Sequence, residues 1–160
     1  VVDFTLFIAH FLINLKFMVS SYKLLEHTAD IGFEVRGNDL KSTIEAATEA
    51  LYNVMVISRE INCSITQKVE IEAIDKEAVI IKWLNEVLFL FDSYSFIAGK
   101  IEIEKVEEDS NGAKITGTLH GEIFNPKLHE FKTHVKAVTF HQVEILESKQ
   151  EITVKVFLDL

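Results

Sequence analysis

The sequence predicts a single α+β domain in which two helices pack on a mainly antiparallel β-sheet, in the order β-β-α-β-α-β-β-β-β. Two segments have the apolar spacing of helices, and most of the others alternate apolar and polar residues as half-buried strands do. An Asn-Gly pair between two alternating runs is typical of a hairpin. With 160 residues, 48% of them hydrophobic, the chain is expected to form one domain with a packed core.

The first half of the body predicts two short strands and a helix. Residues 22–27 and 31–36 have the character of strands, separated by Thr28-Ala29-Asp30. Asn38 or Asp39 can cap the helix that follows. Its apolar stripe, which steps by four and three, consists of Leu40, Ile44, Ala47, Leu51 and Val54 or Met55.

A strand and a second helix follow. Residues 67–74 alternate between apolar and charged side chains, which predicts a half-buried strand. The second helix begins near Asp75 and runs through about Phe91. Apolar residues occupy almost its whole circumference, so it is expected to be mostly buried or to be covered by a partner.

The last third of the chain changes to the period of strands. Ile101 to Ile123 forms two alternating runs around Ser110-Asn111-Gly112, which predicts a hairpin. The run 135–145 predicts another strand, with a bulge near Phe140-His141, and Ile152 to Leu158 predicts the final one.

The charge and the cysteine count exclude several classes of protein. The net charge of −9 is opposite to the basic footprint that a nucleic-acid clamp needs in order to neutralise phosphates. The single cysteine, Cys63, excludes an internal disulfide framework and a cysteine-cluster zinc site. We interpret Cys63 as a small half-buried residue. The scarcity of cysteine in the chain fits a reducing, cytoplasmic location.

Residues 1–17 differ from the rest and are predicted to be a hydrophobic N-terminal extension upstream of a domain that spans residues 18–160. The uncharged run from Phe4 to Leu15 is 12 residues long, whereas a membrane-spanning helix needs about 20. The segment has neither the basic start nor the small-residue cleavage site of a signal peptide. Met18 resembles an ordinary translation start. The alternative is an extra element that packs on the domain.

Two carboxylates near opposite ends of the body suggest a metal site. Asp30 lies between the first two strands, and Asp159 lies beside the carboxylate of Leu160. Taken singly, Asp30 can simply accept backbone N–H groups in a turn, and Asp159 can lie at a solvated strand end. If the first and last strands are neighbours, these oxygens form a site for a hard divalent cation, with Ca²⁺ favoured over Mg²⁺ or Mn²⁺.

The remaining candidates for chemistry are basic. The histidines of the body are dispersed, and each one alone is expected to be a structural, hydrogen-bonded side chain. Lys136 is either a solvated strand lysine or a cation that screens the carboxylates or contacts a phosphate.

Four segments, in order, resemble motifs of the archease family. The segment His27-Thr-Ala-Asp-Ile-Gly32 resembles its opening, and Trp83-Leu-Asn-Glu-Val-Leu-Phe-Leu-Phe91 resembles its second helix. Val135-Lys-Ala-Val-Thr-Phe-His141 is similar to its most recognisable strand, and Phe-Leu-Asp159-Leu160 to its acidic tail. The resemblance spans residues 22–160, with Phe140 at a position where tyrosine is common.

The resemblance implies a function. Archeases are small accessory proteins of the RtcB-type RNA ligase of tRNA splicing, which promote guanylylation of the ligase and its multiple turnover without catalysing covalent chemistry themselves. The metal site of the family corresponds to Asp30, Asp159 and Leu160, and the matching motifs make His27, Lys136 and His141 candidate contacts to the partner. The implied partner is thus the ligase, with no sequence-specific binding of nucleic acid and no membrane.

Two other functions stay open. The first is a chaperone or specificity modulator of a tRNA-modifying enzyme such as a methyltransferase. The second is a metal-dependent hydrolase that uses Asp30, Asp159 and a histidine.

Overall fold

The computed structural model describes residues 22–27, 30–57 and 60–160, and within these ranges the side chains of residues 26, 27 and 30 lie outside the description. The described elements, in chain order, are β1 (Lys23–His27), β2 (Asp30–Gly37), α1 (Leu40–Met55), β3 (Val56–Ile57), β4 (Ile65–Ala73), α2 (Lys76–Tyr94), β5 (Phe96–Asp109), β6 (Gly112–Ile123), β7 (Glu130–Phe131), β8 (Ala137–Glu147) and β9 (Ile152–Asp159).

The predicted α+β fold class is confirmed, and the longer elements follow the predicted order. The short strands β3 and β7 were not predicted, because two residues carry no recognisable period. The predicted extension, residues 1–17, lies outside the described residues, and the domain boundary at residue 18 stays a prediction.

The described strands form three antiparallel sheets. The largest has the order β1-β2-β9-β8, the second has the order β4-β6-β5, and β3 pairs with β7. The last strand, β9, is therefore internal to its sheet, and its neighbours are β2 and β8. This topology carries the end of the chain back to the beginning of the domain.

Both helices lie between the two larger sheets. Helix α1 contacts β2 and β9 on one side and β5 on the other, and α2 contacts β8 on one side and β4, β5 and β6 on the other. The sequence predicted two helices packed on mainly antiparallel sheet, and the structure places a sheet on each side of them. This arrangement explains why α2 is apolar around most of its circumference, since a helix in a middle layer has little surface left for water.

A buried hydrogen bond joins the two helices in this middle layer. Trp83 of α2 is fully buried, and its Nε1 donates to Oγ1 of Thr48 at 3.0 Å. Thr48 in turn donates to the main-chain oxygen of Ile44, at 2.8 Å. The polar atom of the largest core side chain is thereby satisfied, as burial requires.

Capping and turn residues fix where the elements begin and end. Asp39, rather than Asn38, caps α1 by accepting from the amide of Ser42 at 2.8 Å, and Asp75 caps α2 in the same way. The predicted hairpin is confirmed, with Asp109 paired to Gly112 across a two-residue turn. Gly112 has a φ of 146°, a conformation that side chains other than glycine rarely adopt.

Cys63 is exposed, so its interpretation as a half-buried residue is wrong. It lies in the irregular segment before β4, and its thiol is 3.5 Å from the main-chain oxygen of His120. In the part of the chain that the structure describes, no helix combines the length and the apolar character needed to cross a bilayer.

Candidate functional site

The pairing of β2 with β9 brings the two ends of the domain together. Ile31 is the register partner of Leu158, and the chains run antiparallel. One step further along this register come Asp30 and Asp159. The predicted metal site required the first and last strands to be neighbours. In the structure the neighbours of the last strand are β8 and the second strand, β2, which begins at Asp30.

The same register extends across all four strands at this end of the sheet. His27 pairs with Asp30 across the β1–β2 turn, and Asp159 pairs with Ala137 of β8. We call these four positions, His27, Asp30, Asp159 and Ala137, the terminal row. The row thus contains three of the predicted site residues, although the side chains of His27 and Asp30 lie outside the described part of the structure.

Lys136 holds the end of the chain through two contacts. Its amide donates to the main-chain oxygen of Asp159 at 2.8 Å, and its Nζ donates to the main-chain oxygen of Leu160 at 2.6 Å. The side chain of Asp159 is exposed at the end of β9. The ammonium group therefore contacts an oxygen of Leu160, one of the three residues that were predicted to bind a cation.

His141 lies away from the terminal row. Strand β8 pairs regularly up to Thr139, opposite Phe157, and resumes at Glu144, opposite Lys155. Residues 140–143 therefore form a bulge opposite Val156 alone, and Gln142 has a φ of 54°. His141 is exposed within this bulge, which confirms the predicted irregularity, but the register does not bring it to Asp159.

Two other histidines have structural partners. His120 contacts Glu102 Oε2 through Nε2 at 2.8 Å and Thr66 through Nδ1 at 3.1 Å. His129 is buried, and its Nδ1 accepts from the amide of Asn125 at 2.9 Å. Because Nδ1 is an acceptor, the proton of the neutral ring belongs on Nε2. These contacts agree with a structural role for both residues.

Asn85 is a positioning residue that the sequence analysis missed. Its Nδ2 donates to the main-chain oxygen of Val138 at 2.9 Å, and its Oδ1 accepts from the amide of Val138 at 3.0 Å. The side chain thus binds α2 to the free edge of β8, two residues after Lys136. An isolated amide inside an apolar helix was the available signal, because a buried polar group needs a partner.

No metal-binding cluster of three or more His, Cys, Asp or Glu side chains occurs among the described residues. The side chain of Asp30 lies outside the described residues, and the predicted site combines its carboxylate with that of Asp159 and a main-chain oxygen of Leu160. The three predicted ligands are all oxygen donors, the class that Ca²⁺ and Mg²⁺ prefer. The prediction that Asp30, Asp159 and Leu160 bind a divalent cation is therefore still to be tested.

Comparisons with known proteins agree with the motifs. Residues 22–160 match the model of the archease protein family. The chain is 32% identical over 139 residues to protein archease of Methanosarcina acetivorans, covering 87% of this chain and 95% of that protein. It is 34% identical over 142 residues to protein archease of Methanothermobacter thermautotrophicus, covering 89% and 100%.

Solved structures share the fold. The solution structure of protein 1598 from Methanobacterium thermoautotrophicum is 34% identical, has a TM-score of 0.74, and the match covers 89% of this chain and 100% of that one. A crystal structure from Thermotoga maritima, described as an archease and possible chaperone, has a TM-score of 0.53 at 21% identity. The family match extends over every described element, from β1 to the acidic end of β9. The chain belongs to the archease protein family.

Proposed function

We propose that this protein activates an RtcB-type RNA ligase in tRNA splicing, by promoting guanylylation of the ligase and its multiple turnover. Membership of the archease family supports the class of partner. The β2–β9 register supports particular residues for this function. Ile31 pairs with Leu158, and Asp30 and Asp159 are the next residues along the two strands. The protein acts in this proposal as an accessory factor in the cytoplasm and not as an enzyme.

Asp30, Asp159 and Leu160 are the residues that would hold a divalent cation, with Ca²⁺ favoured. Neighbouring carboxylates repel each other unless a positive charge lies between them. A bound cation would neutralise this repulsion and fasten the end of β9 to the beginning of β2. The chain's own contribution is to supply the oxygens from strands that are already paired on both sides of β9.

Activation of a ligase requires only differential binding to one of its conformations. A tenfold increase in the reactive population corresponds to about 1.4 kcal/mol of binding free energy. An exposed aromatic pair, Phe89 and Tyr94 with ring centroids 5.8 Å apart, lies in the last turns of α2 and offers apolar area for a protein contact. The net charge of −9 favours a protein partner over direct contact with RNA.

The test is a ligation assay at limiting ligase, with and without this protein. Asp30→Asn and Asp159→Asn are expected to abolish the stimulation of guanylylation and of multiple turnover, because the amides keep the shape of the carboxylates and remove their charge. Glu77→Gln, an exposed change in the first turn of α2, is the matched control and should stimulate normally. Circular dichroism and thermal unfolding check that each variant is folded.

Full stimulation by both aspartate variants would remove the metal site from the mechanism. Deletion of Leu160 tests the third ligand, and the affinity for Ca²⁺ should fall. Failure of the wild-type protein to stimulate the ligase would contradict the proposal as a whole.

The alternative is a chaperone or modulator of a tRNA-modifying enzyme such as a methyltransferase. The exposed pair of Phe89 and Tyr94 suits that role as well, because apolar surface can bind many proteins. Affinity capture from native extract distinguishes the two: recovery of the ligase supports the first proposal, and recovery of a methyltransferase without the ligase supports the second.

A further inference from the structure

A short polar contact next to the terminal row is made by a positive group of the chain itself. Lys136 Nζ lies 2.6 Å from the main-chain oxygen of Leu160, a distance typical of a hydrogen bond strengthened by charge. The backbone of Lys136 is held as well, because its amide donates to Asp159. The next residue, Ala137, is the register partner of Asp159. The lysine is thus fixed at the row from which the acidic side chain of Asp159 projects.

Two other basic side chains of this sheet, Lys155 and Arg36, have acidic partners elsewhere. Lys155 contacts Glu144 at 2.9 Å and Glu34 at 3.9 Å, and Arg36 contacts Glu34 at 2.8 Å. The ammonium of Lys136 instead contacts Leu160, at the end of the chain, and the side chain of Lys136 is exposed. Lys136 therefore contacts the tail next to the terminal row, whereas Lys155 and Arg36 are engaged in ion pairs elsewhere in the sheet.

We propose that Lys136 is a built-in competitor for the divalent cation at the terminal row. The ammonium and the metal ion use the same oxygen of Leu160 and are attracted by the same carboxylates. Two cations on one oxygen would lie only about 5 Å apart and repel each other. Metal binding therefore opposes the contact between Lys136 and Leu160, and each cation weakens the binding of the other. This inference rests on the proposed metal site and adds a mechanism that sets its affinity.

The competition has a structural consequence. Without metal, Lys136 neutralises part of the acidic charge and keeps β9 joined to β8 at their ends. With metal, the tail is held by the ion and the ammonium group is released to solvent. The protein thus keeps an ordered tail in both states, and the lysine lowers the affinity for metal.

Calcium titration by isothermal calorimetry tests the proposal on the full chain. Lys136→Met keeps the length of the side chain and removes the ammonium, so we expect it to bind Ca²⁺ about tenfold more tightly than the wild type. Lys136→Arg keeps the charge and should stay within about twofold of the wild type. Lys155→Met is the matched control, because it removes one positive charge from the same sheet without touching Leu160.

A second measurement separates competition from a general change of stability. In EDTA, Lys136→Met should unfold at a lower temperature than the wild type, because nothing replaces the contact with Leu160. Saturating Ca²⁺ should remove most of that difference. The double variant Lys136→Met, Asp159→Asn should bind Ca²⁺ more weakly than Lys136→Met, because the metal then lacks a carboxylate.

Each result decides for or against the competition. The competition would be overturned by equal or weaker Ca²⁺ binding by Lys136→Met, by an equal gain in Lys155→Met, or by a double variant that binds Ca²⁺ as tightly as Lys136→Met does. If the wild type binds no Ca²⁺ detectably, binding by Lys136→Met supports the competition and its absence refutes it. Ligase stimulation by Asp30→Asn and Asp159→Asn judges the proposed function separately.

Discussion

At the scale of single residues, two glutamates have opposite environments. Glu34 accepts from Arg36 Nη2 at 2.8 Å, and this hydrogen bond holds the pKa of Glu34 below its ordinary value of 4.5. Glu45 is partly buried on α1, where burial raises its pKa even though its Oε1 accepts from the amide of Ile103 at 2.8 Å. The first contact favours the charged carboxylate in the folded protein, and the second environment disfavours it.

These shifts predict pH effects of opposite sign. The stabilisation by Glu34 is complete above about pH 4.5 and is lost as the pH falls through its lowered pKa, because unfolding then takes up a proton. The contribution of Glu45 is complete below about pH 4.5 and is lost as the pH rises through its raised pKa. The stability gap between wild type and Glu34→Gln should therefore shrink on acidification. On acidification, the Glu45→Gln variant should become less stable relative to the wild type, because only the wild type gains stability when Glu45 is protonated.

The measurement is urea unfolding of both variants and the wild type at several values between about pH 3.5 and about pH 7. Gaps that do not change with pH, or that change in the same direction for both variants, would contradict the assignment of these two environments.

At the scale of elements, the beginning of α1 shows how one side chain selects a helix terminus. Asn38 and Asp39 are both good capping residues, and the sequence left the choice open. In the structure Asp39 accepts from the amide of Ser42 at 2.8 Å, and Ser42 Oγ accepts from the amide of Asp39 at 3.2 Å. The two residues satisfy each other's backbone groups in a capping box.

Asp39→Ala is expected to lower the free energy of unfolding by about 1 kcal/mol, because a backbone donor at the start of α1 loses its acceptor. Asn38→Ala is the matched control at the neighbouring position, and it should change stability by less than about 0.5 kcal/mol. Chemical denaturation at neutral pH measures both. Equal losses in the two variants would contradict the assignment of the cap.

At the scale of the whole molecule, the two helices join the two sheets into one core. Each helix contacts strands of both sheets, so the layer between them has to be well packed. The hydrogen bond from Trp83 to Thr48 lies inside that layer and connects the helices directly. A buried donor of this kind is costly to leave without a partner.

Thr48→Val keeps the shape of the side chain and removes the acceptor, so it should cost about 1–3 kcal/mol of stability. Thr48→Ser keeps the hydroxyl and removes one methyl group, with an expected cost of about 1 kcal/mol. Thermal unfolding of both variants provides the comparison. A smaller loss for the valine variant than for the serine variant would show that the hydrogen bond contributes little.

Features that depend on residues close together in the sequence could be predicted from it, and contacts between distant residues could not. The caps, the alternation of β4 and the turn before Gly112 depend on residues a few positions apart, so they could be predicted. The bulge around His141 was also foreseen, from the disturbed alternation of that run. The environment of Asn85 was not, because its partner, Val138, is distant in sequence.

The sequence by itself determined the local elements, the apolar character of α2 and the acidic residues at both ends of the domain. Only the tertiary structure decided that β9 lies beside β2, that α2 lies between two sheets, and that Lys136 bonds to Leu160. The physical reason is that periodicity records which face of an element is buried, whereas strand neighbours depend on how distant segments pack together. Asp30 and Asp159 carry no local signal of their proximity, and it is the register of Ile31 with Leu158 that brings their positions together.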